Sequence, residues 1–495
     1  MGIGSRFRHA GAHTCAENGP KSTLREGASK RRASVGRRTC AFVKRPWTIA
    51  RGSVHCAMNT GSRHIQRVYL SLLLLHTLAA SLIWGINTLF LLDAGLTNAQ
   101  AFAANAFFTA GLVLFEIPTG VIADTRGRRL SYLLGTLTLV VTTLLYVLMW
   151  RIAAPFWAWA VTSALLGFGF TFFSGAVQAW LVDALKASDF TGEMDAVFAR
   201  GEIVEGVAML TGSVAGGYLA QATNLGVPYI VRALVLAATF VLAFVVMRDI
   251  GFAPDRSSSP SQAIKKVLWG AIRYGLRHPP VRWVMAANVF TGGVSIYAFY
   301  AMQPYLLQLY GDPEAYGIAG LAAAIVGGAQ IGGGFVVPHL ARVFRRRTSV
   351  LLSAIAVSTI ALATIGLVPR FWIAVVLLVL WGLVFATVTP VRQAYLNEQI
   401  PSDHRATVLS FDSLMGSGGG VVTQPLLGRA ADAWGYPASY VCTAAIQAFA
   451  IPLVWLARRE RADADAIVSE VRSGRMARRK ASHGGTEKRR DRSPQ

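Results

Sequence analysis

Twelve apolar runs, each about the 20 residues that a helix needs to cross roughly 30 Å of hydrocarbon, take up most of this chain: 66-92, 100-123, 130-150, 156-182, 201-222, 228-247, 283-309, 316-341, 349-368, 371-395, 406-431 and 437-457. Inside a bilayer every backbone N–H and C=O needs a partner within its own segment, so runs of this length are expected to be helices. The predicted fold is an all-α integral membrane protein with twelve transmembrane helices. Composition agrees, since 53% of the residues are apolar and only 15% are charged, outside the range of ordinary soluble domains.

A net charge of +23 on a soluble chain would suggest nucleic acid; here its placement argues for a membrane instead. Arg126, Arg128, Arg129, Lys186, Arg248, Arg256, Lys265, Lys266, Arg273, Arg277, Arg342, Arg345 to Arg347 and Arg405 fall in alternate loops. The remaining loops offer only Arg151 and Arg370. This is the positive-inside pattern, and with an even number of crossings it puts both termini in the cytoplasm. The expected location is the bacterial cytoplasmic (inner) membrane, with the lipid bilayer as partner and no nucleic acid.

Residues 1-64 hold thirteen Lys or Arg against two Glu and no signal-peptide core, so they are expected to be disordered. Met58 opens M-N-T-G-S-R-H-I-Q-R, a short basic lead into the first helix, and is the expected translation start. Cys15, Cys40 and Cys56 lie in this segment and Cys442 in the last helix, a distribution that implies neither a disulfide framework nor a metal site. The basic tail, 458-495, is expected to be a mobile, solvated charge run.

An internal repeat divides the rest. Q-A-W-L-V-D at 178 to 183 recurs as Q-A-Y-L-N-E at 393 to 398, closing the fourth and tenth helices, and A-D-T-R-G-R-R at 123 to 129 faces A-R-V-F-R-R-R at 341 to 347. The halves are therefore expected to be six-helix pseudo-repeat bundles, 65-247 and 283-457. Between them, 248-282 contains S-S-S-P-S and then Ile264, Leu268, Ile272 and Leu276 at helical spacing, an interfacial amphipathic linker.

The spacing G-x-x-x-D-x-x-G-R-R (Gly120, Asp124, Gly127, Arg128, Arg129), between the second and third of twelve helices, resembles the signature loop of the major facilitator superfamily. The E-I-P-T-G prelude at 116 to 120 is most similar to the family's bacterial drug-efflux branches, the tetracycline-type carriers among them. The resemblance implies that Asp124 sits against the N-terminus of the eleventh helix, near Arg405 to Thr407. It implies also that Arg128 pairs with Asp183 at the end of the fourth helix, so that the cluster latches the halves and releases them as the carrier rocks. Thr125 stands where the family commonly has Arg or Lys. From the residues themselves, Gly120 permits close helix approach and Gly127 a tight turn.

G-S-V-A-G-G at 212 to 217 resembles the antiporter form G-P-x-x-G-G, with Ser213 for the proline; close packing of small residues is the alternative reading. The fourth helix has Ser163 and Leu166 where many proton-coupled members carry Arg and Gln. Coupling is therefore sought elsewhere. Carboxylates in a membrane helix cost about 2.5 to 3.5 kcal/mol each on insertion scales, and Glu116, about 12 Å above Asp124 at 1.5 Å per residue, is one candidate for proton coupling and Asp412 the other. Arg232 is expected to snorkel to a helix end.

The family fold places the first, fourth, seventh and tenth helices around a central cavity. His76, Trp84 and Asn87, Thr171 and Gln178, Asn288, Tyr297, Tyr300 and Gln303, and Trp381 and Arg392 are the candidates for its lining. Such a set suits amphipathic organic molecules. With no G-x-x-x-x-G-K-[ST], no HExxH and no nucleophile elbow in the sequence, neither an ATP-driven pump nor an enzyme is expected, and no cofactor or metal. The expected function is proton-coupled efflux of drugs or small metabolites by a monomeric secondary carrier, with uptake of a sugar or organic acid, or a transporter-derived sensor, as alternatives.

Overall fold

The computed structural model describes residues 60–254, 265, 269–401 and 404–467, and the regular elements among them are helical. In chain order these are α1 (Thr60–Trp84), α2 (Asn87–Asp93), α3 (Asn98–Arg126), α4 (Arg128–Arg151), α5 (Phe156–Thr171), α6 (Ala176–Ala187), α7 (Met194–Ala222) and α8 (Gly226–Val246). After the linker come α9 (Pro279–Tyr310), α10 (Tyr316–Val343), α11 (Arg347–Leu367), α12 (Phe371–Gln399), α13 (Arg405–Ala448) and α14 (Ala450–Arg459). The residues before Thr60, with Met58, and most of the linker and tail lie outside the described residues.

Among the described residues, ten stretches are long and apolar enough to cross a bilayer. One of them, Thr407–Arg459, has 53 residues, about 80 Å at 1.5 Å per residue. Gly435 breaks it at φ +78°, two residues before Pro437, so it crosses twice. α10, with its apolar stretch Tyr316–Ala329, completes the twelve. Large apolar side chains face outward in helical stripes, as in Leu137, Val141, Leu144 and Leu148 on α4 and Leu234, Val241 and Phe244 on α8. Exposure that would promote aggregation in water is what lipid requires. Many buried threonines bond within their own helices, as Thr136 does to the Tyr132 carbonyl at 2.8 Å and Thr143 to that of Leu139 at 2.6 Å, an arrangement that suits polar groups in lipid.

Two crossings of the N-terminal half are not continuous helices. The first breaks after Trp84, where Gly85 lies so close to Gly320 of α10 that a methyl group there would overlap its Cα. The fourth breaks at Phe172–Gly175, with Gly175 at φ +67°. A break resets the helical phase, so residues on either side of it do not keep the facing that continuous helical spacing would give them. At the other end of the chain, residues 458–467, assigned from sequence to a mobile tail, finish α14 and form a turn. There the buried Asp465 accepts from the Thr348 backbone N–H (2.8 Å) and hydroxyl (2.9 Å). Of the linker, the described residues Ala271–Leu276 form a π-helical turn rather than an α-helix.

The two halves meet along α3 with α13 and α7 with α10. Contacts cluster at the end remote from the signature loop. The Asp432 carboxylate accepts from the first backbone N–H groups of α3, at Asn98 and Ala99 (both 2.9 Å), where the helix dipole favours an anion. Tyr436 donates to the Asn98 side chain. Gln303 of α9 accepts from the Thr88 N–H (3.0 Å) and donates to the Trp84 carbonyl (2.8 Å), and Gln221 accepts from the Gly317 N–H (3.0 Å). The seam reaches mid-membrane at Gln424, which donates to Thr109 (3.3 Å).

Candidate functional site

Below this seam lie two adjoining cavities that share Trp84, Phe108 and Tyr300 as walls. The smaller, about 290 Å³, is built mainly from the N-terminal half, by Asn87, Asn105, Tyr146, Phe170 and Arg232 among others. Its polar groups form a directed chain. Tyr229 donates to the Asn87 carbonyl oxygen (3.0 Å), and Asn87 then donates through Nδ2 to Asn105 Oδ1 (2.9 Å). The Asn105 Nδ2 is left without a partner, as are Nε and Nη2 of Arg232.

Arg232 is 2% exposed. It does not snorkel as expected: six residues into α8, it is covered on every side. Its guanidinium lies 5.8 Å from the Phe170 ring centroid, a contact worth about 0.5 to 2 kcal/mol. That does not offset a buried charge, whose penalty is larger unless a counter-charge and hydrogen bonds compensate it. No Asp or Glu lines this cavity.

The larger cavity, about 480 Å³, lies mostly in the C-terminal half, between Asn288, Ser295 and Phe299 of α9, Ser358 of α11, Trp381, Phe385 and Arg392 of α12, and Ser413 and Ser417 of α13. Trp84 forms its shared roof, stacked on Phe299 at 4.4 Å between ring centroids. Here the arginine is paired. Arg392 Nη1 is 3.4 Å from Asp412 Oδ2, and Asn288 Nδ2 donates to the Asp412 backbone carbonyl (2.8 Å) and to its Oδ1 (3.3 Å). Asp412, at 2% exposure, is as buried as Arg232.

The signature loop lies at the opposite end from the seam. Gly127 turns the chain at φ +113°, and Arg128 pairs with Asp124 one turn earlier and approaches Asp183 (4.0 Å). Arg129 donates its backbone N–H to Asp249 (2.9 Å) and its side chain to the Phe244 carbonyl (2.5 Å). Asp124 keeps 52% of its side chain exposed, and among the described residues nothing lies within 4 Å of where a Gly120 side chain would begin. The close approach expected at Gly120 is absent from this conformation. The halves stand apart at the end where the resemblance puts a latch.

The second half repeats this arrangement with other residues. Arg347 binds Glu398 (2.5 Å), as Arg128 approaches Asp183. Asp465 accepts the Thr348 backbone N–H, as Asp249 accepts that of Arg129. Each half thus fastens the start of its third helix with an acid from its fourth crossing and another from beyond its sixth. With twelve crossings, a repeat visible in both sequence and pairing, and cavities between the halves, the architecture is decided. The chain belongs to the major facilitator superfamily.

The model of that family, described as Major Facilitator Superfamily, matches residues 69–422 and 317–483. The multidrug resistance protein MdtG of Salmonella typhimurium is 26% identical over 352 residues, 69% of this chain and 81% of that protein. The protein of the same name from Escherichia fergusonii is 25% identical over 69% of this chain and 80% of its own. Among solved structures, the nucleoside transporter NupG superposes with a TM-score of 0.66 at 10% identity, covering 81% of this chain and 99% of that one. The POT family transporter PepTSo gives 0.63 at 13%, covering 80% and 98%. At such identities the structures speak for the fold alone. A multi-pass transporter of this superfamily, not an enzyme, is what these findings support.

Of the residues proposed from sequence, Trp84, Asn87, Asn288, Tyr300, Trp381 and Arg392 line the cavities. The others are elsewhere. His76 packs between Phe170 and Phe173, Thr171 bonds its own helix, Gln178 is exposed on α6, Tyr297 bonds Ser439 and the Leu427 carbonyl, and Gln303 serves the seam. Of these, Gln178 lies beyond the α5/α6 break, which resets the helical phase. Glu116 lines neither cavity; its contact is Ser174 (3.3 Å), in the α5/α6 break. Sequence reasoning missed Arg232, Asn105, Asp249 and Asp432. An arginine six residues inside an apolar helix was the one legible signal. Among the described residues no group of His, Cys, Asp and Glu is placed to hold a metal ion.

Proposed function

We propose that this carrier exports amphipathic small organic molecules in exchange for protons, and that the conformation described here faces the cytoplasm. The observation that carries the reading is the asymmetry of the seam: hydrogen bonds close one end, the signature-loop end stands open, and aromatic-lined cavities lie between. The positive-inside distribution of arginines assigns the open end to the cytoplasm and both termini with it. The similarity to proteins named multidrug resistance protein MdtG supports efflux over uptake.

Within this reading the translocating unit is a monomer of two bundles, 65-247 and 283-457. Asp412 is the coupling carboxylate in preference to Glu116. It is buried, it holds the cavity-lining Arg392, and protonating it would free that arginine to act on a bound molecule. Closure of the cytoplasmic end would bring Asp124 to the start of α13, where the helix dipole receives an anion, with Gly120 then admitting the close approach. Glu116 remains the second candidate, able to sense the break at Ser174.

Inside-out membrane vesicles energised to an acidic interior test this directly, with cationic, neutral and anionic amphipathic dyes supplied outside. Accumulation of at least one dye is expected, abolished by a protonophore and by Asp412→Asn, while Glu116→Gln retains it. Dye accumulation that ignores the gradient in the wild type would sink proton-driven export. Loss in Glu116→Gln but not in Asp412→Asn would move the coupling site to α3.

A further inference from the structure

We infer that the smaller cavity is a receptor for the anionic group of an aromatic, monoanionic substrate, with Arg232 as its anchor. This rests on the transporter reading and narrows it to a substrate class. Three observations converge. Arg232 is buried in the wall of the smaller cavity, with Nε and Nη2 unpartnered. The nearby Asn105 Nδ2 is also an unpartnered donor, and the Tyr229–Asn87–Asn105 chain fixes its orientation, because each amide oxygen is already occupied by the donor before it. Apart from Thr77 and Ser81, the remaining wall is aromatic and aliphatic, with Trp84, Phe108, Tyr146, Phe170 and Tyr300 and no acid.

A cavity rich in donors and without an acidic acceptor is complementary to a carboxylate, and a guanidinium offers a planar fork matched to two carboxylate oxygens. Its volume, close to the lower bound of about 300 Å³ for small-molecule sites, suits a one- or two-ring acid. The larger cavity differs in kind, since Arg392 there already has Asp412 as its counter-ion. A cationic amphiphile would meet an uncompensated positive charge in the smaller cavity, and a neutral one would leave that charge as it is. An aromatic acid is the ligand that removes the imbalance.

The test is equilibrium binding to the purified full-length carrier by calorimetry, with 1-naphthaleneacetate and its uncharged amide as a matched pair. The acid is expected to bind at least about tenfold more tightly than the amide, the scale of charge-assisted hydrogen bonds. Arg232→Gln should bring the ratio to near one with amide affinity retained, Arg232→Lys should keep part of the preference, and Arg370→Gln, at an exposed arginine outside both cavities, should leave it intact. Should Arg232→Gln fail to fold, Asn105→Asp, which supplies an internal counter-charge, is expected to abolish the preference instead. Equal affinities in the wild type, an unchanged ratio in Arg232→Gln, or a ratio lost equally in Arg370→Gln would each overturn the assignment. Binding and transport separate the two readings: acid-selective binding without energised flux leaves the site standing and removes the exporter, and proton-driven flux without acid preference does the reverse.

Discussion

Each half of the molecule places an arginine beside a cavity, Arg232 buried and Arg392 partly buried, and the two are treated differently. In the C-terminal half Arg392 has Asp412 at 3.4 Å, and Asn288 holds that carboxylate in place. In the N-terminal half Arg232 has aromatic rings, hydroxyls and an amide around it and no acid in the cavity wall. A buried pair is neutral and can be switched by a proton. A buried lone cation is a standing demand for an anion. Under the proposed function, this difference divides the labour, one half answering to the coupling ion and the other to the charge of the cargo.

The comparison breaks most readily at Asp412. Removing one member of a buried pair strands the other, at a cost of about 3 to 5 kcal/mol, so Asp412→Ala is expected to lower the thermal unfolding midpoint of the purified carrier sharply. Arg232→Met strands nothing and is expected to unfold at or above the wild-type midpoint in the same assay. Equal losses in the two variants would mean that Arg232 has a counter-charge after all, and the contrast between the halves would fall. Combining Arg392→Met with Asp412→Leu sharpens the point: neutralising both members should recover most of the loss, because replacing a whole buried pair by apolar groups is often neutral or stabilising.

A smaller effect, of about 1 to 3 kcal/mol, is expected from Gly320→Leu. That side chain has no room against the Ser213 carbonyl and Gly217, so it should push the halves apart at the closed end. Labelling of a cysteine introduced at Asn98 by an impermeant reagent added from the side of the closed end should rise. Unchanged labelling would show that the seam at Asn98 does not depend on the α7–α10 contact.

How much of this was legible follows from what each feature depends on. The twelve crossings rest on run length alone, and the spans read from sequence correspond to the helices observed. The half-repeat was visible at Asp183 and Glu398 because six residues recur there, but its other half, Asp249 against Asp465, has no local motif and appears only once the chain folds. Residues on α9 and α12, unbroken through the cavity region, mostly fell where helical phase puts them: Asn288, Tyr300, Trp381 and Arg392. On the broken crossings the outcome was mixed: Trp84 and Asn87, either side of Gly85, line the cavities, whereas His76, Thr171 and Gln178 do not. Arg232 was misread as well. Sequence gives depth along a helix, and a residue about two turns from the end can reach either water or the core; neighbours decide which.

The smallest expected effect concerns the open latch, and it is the one that separates a state from a structure. Asp124 is half exposed, pairs with an arginine one turn away and touches nothing on α13, so in this conformation it stabilises little; exposed pairs contribute about 0 to 1 kcal/mol. Asp124→Asn should therefore leave the unfolding midpoint nearly unchanged. In the closed state the same carboxylate would meet the start of α13, an interaction of about 0.3 to 1 kcal/mol. Losing 1 kcal/mol from one state alone changes a two-state ratio roughly fivefold. Spin labels at Thr125 and Ser410 should then report a lower closed fraction in Asp124→Asn, with flux reduced and stability intact. A closed fraction equal to wild type would leave Asp124 as a helix-end charge and transfer the latch to the arginines around it.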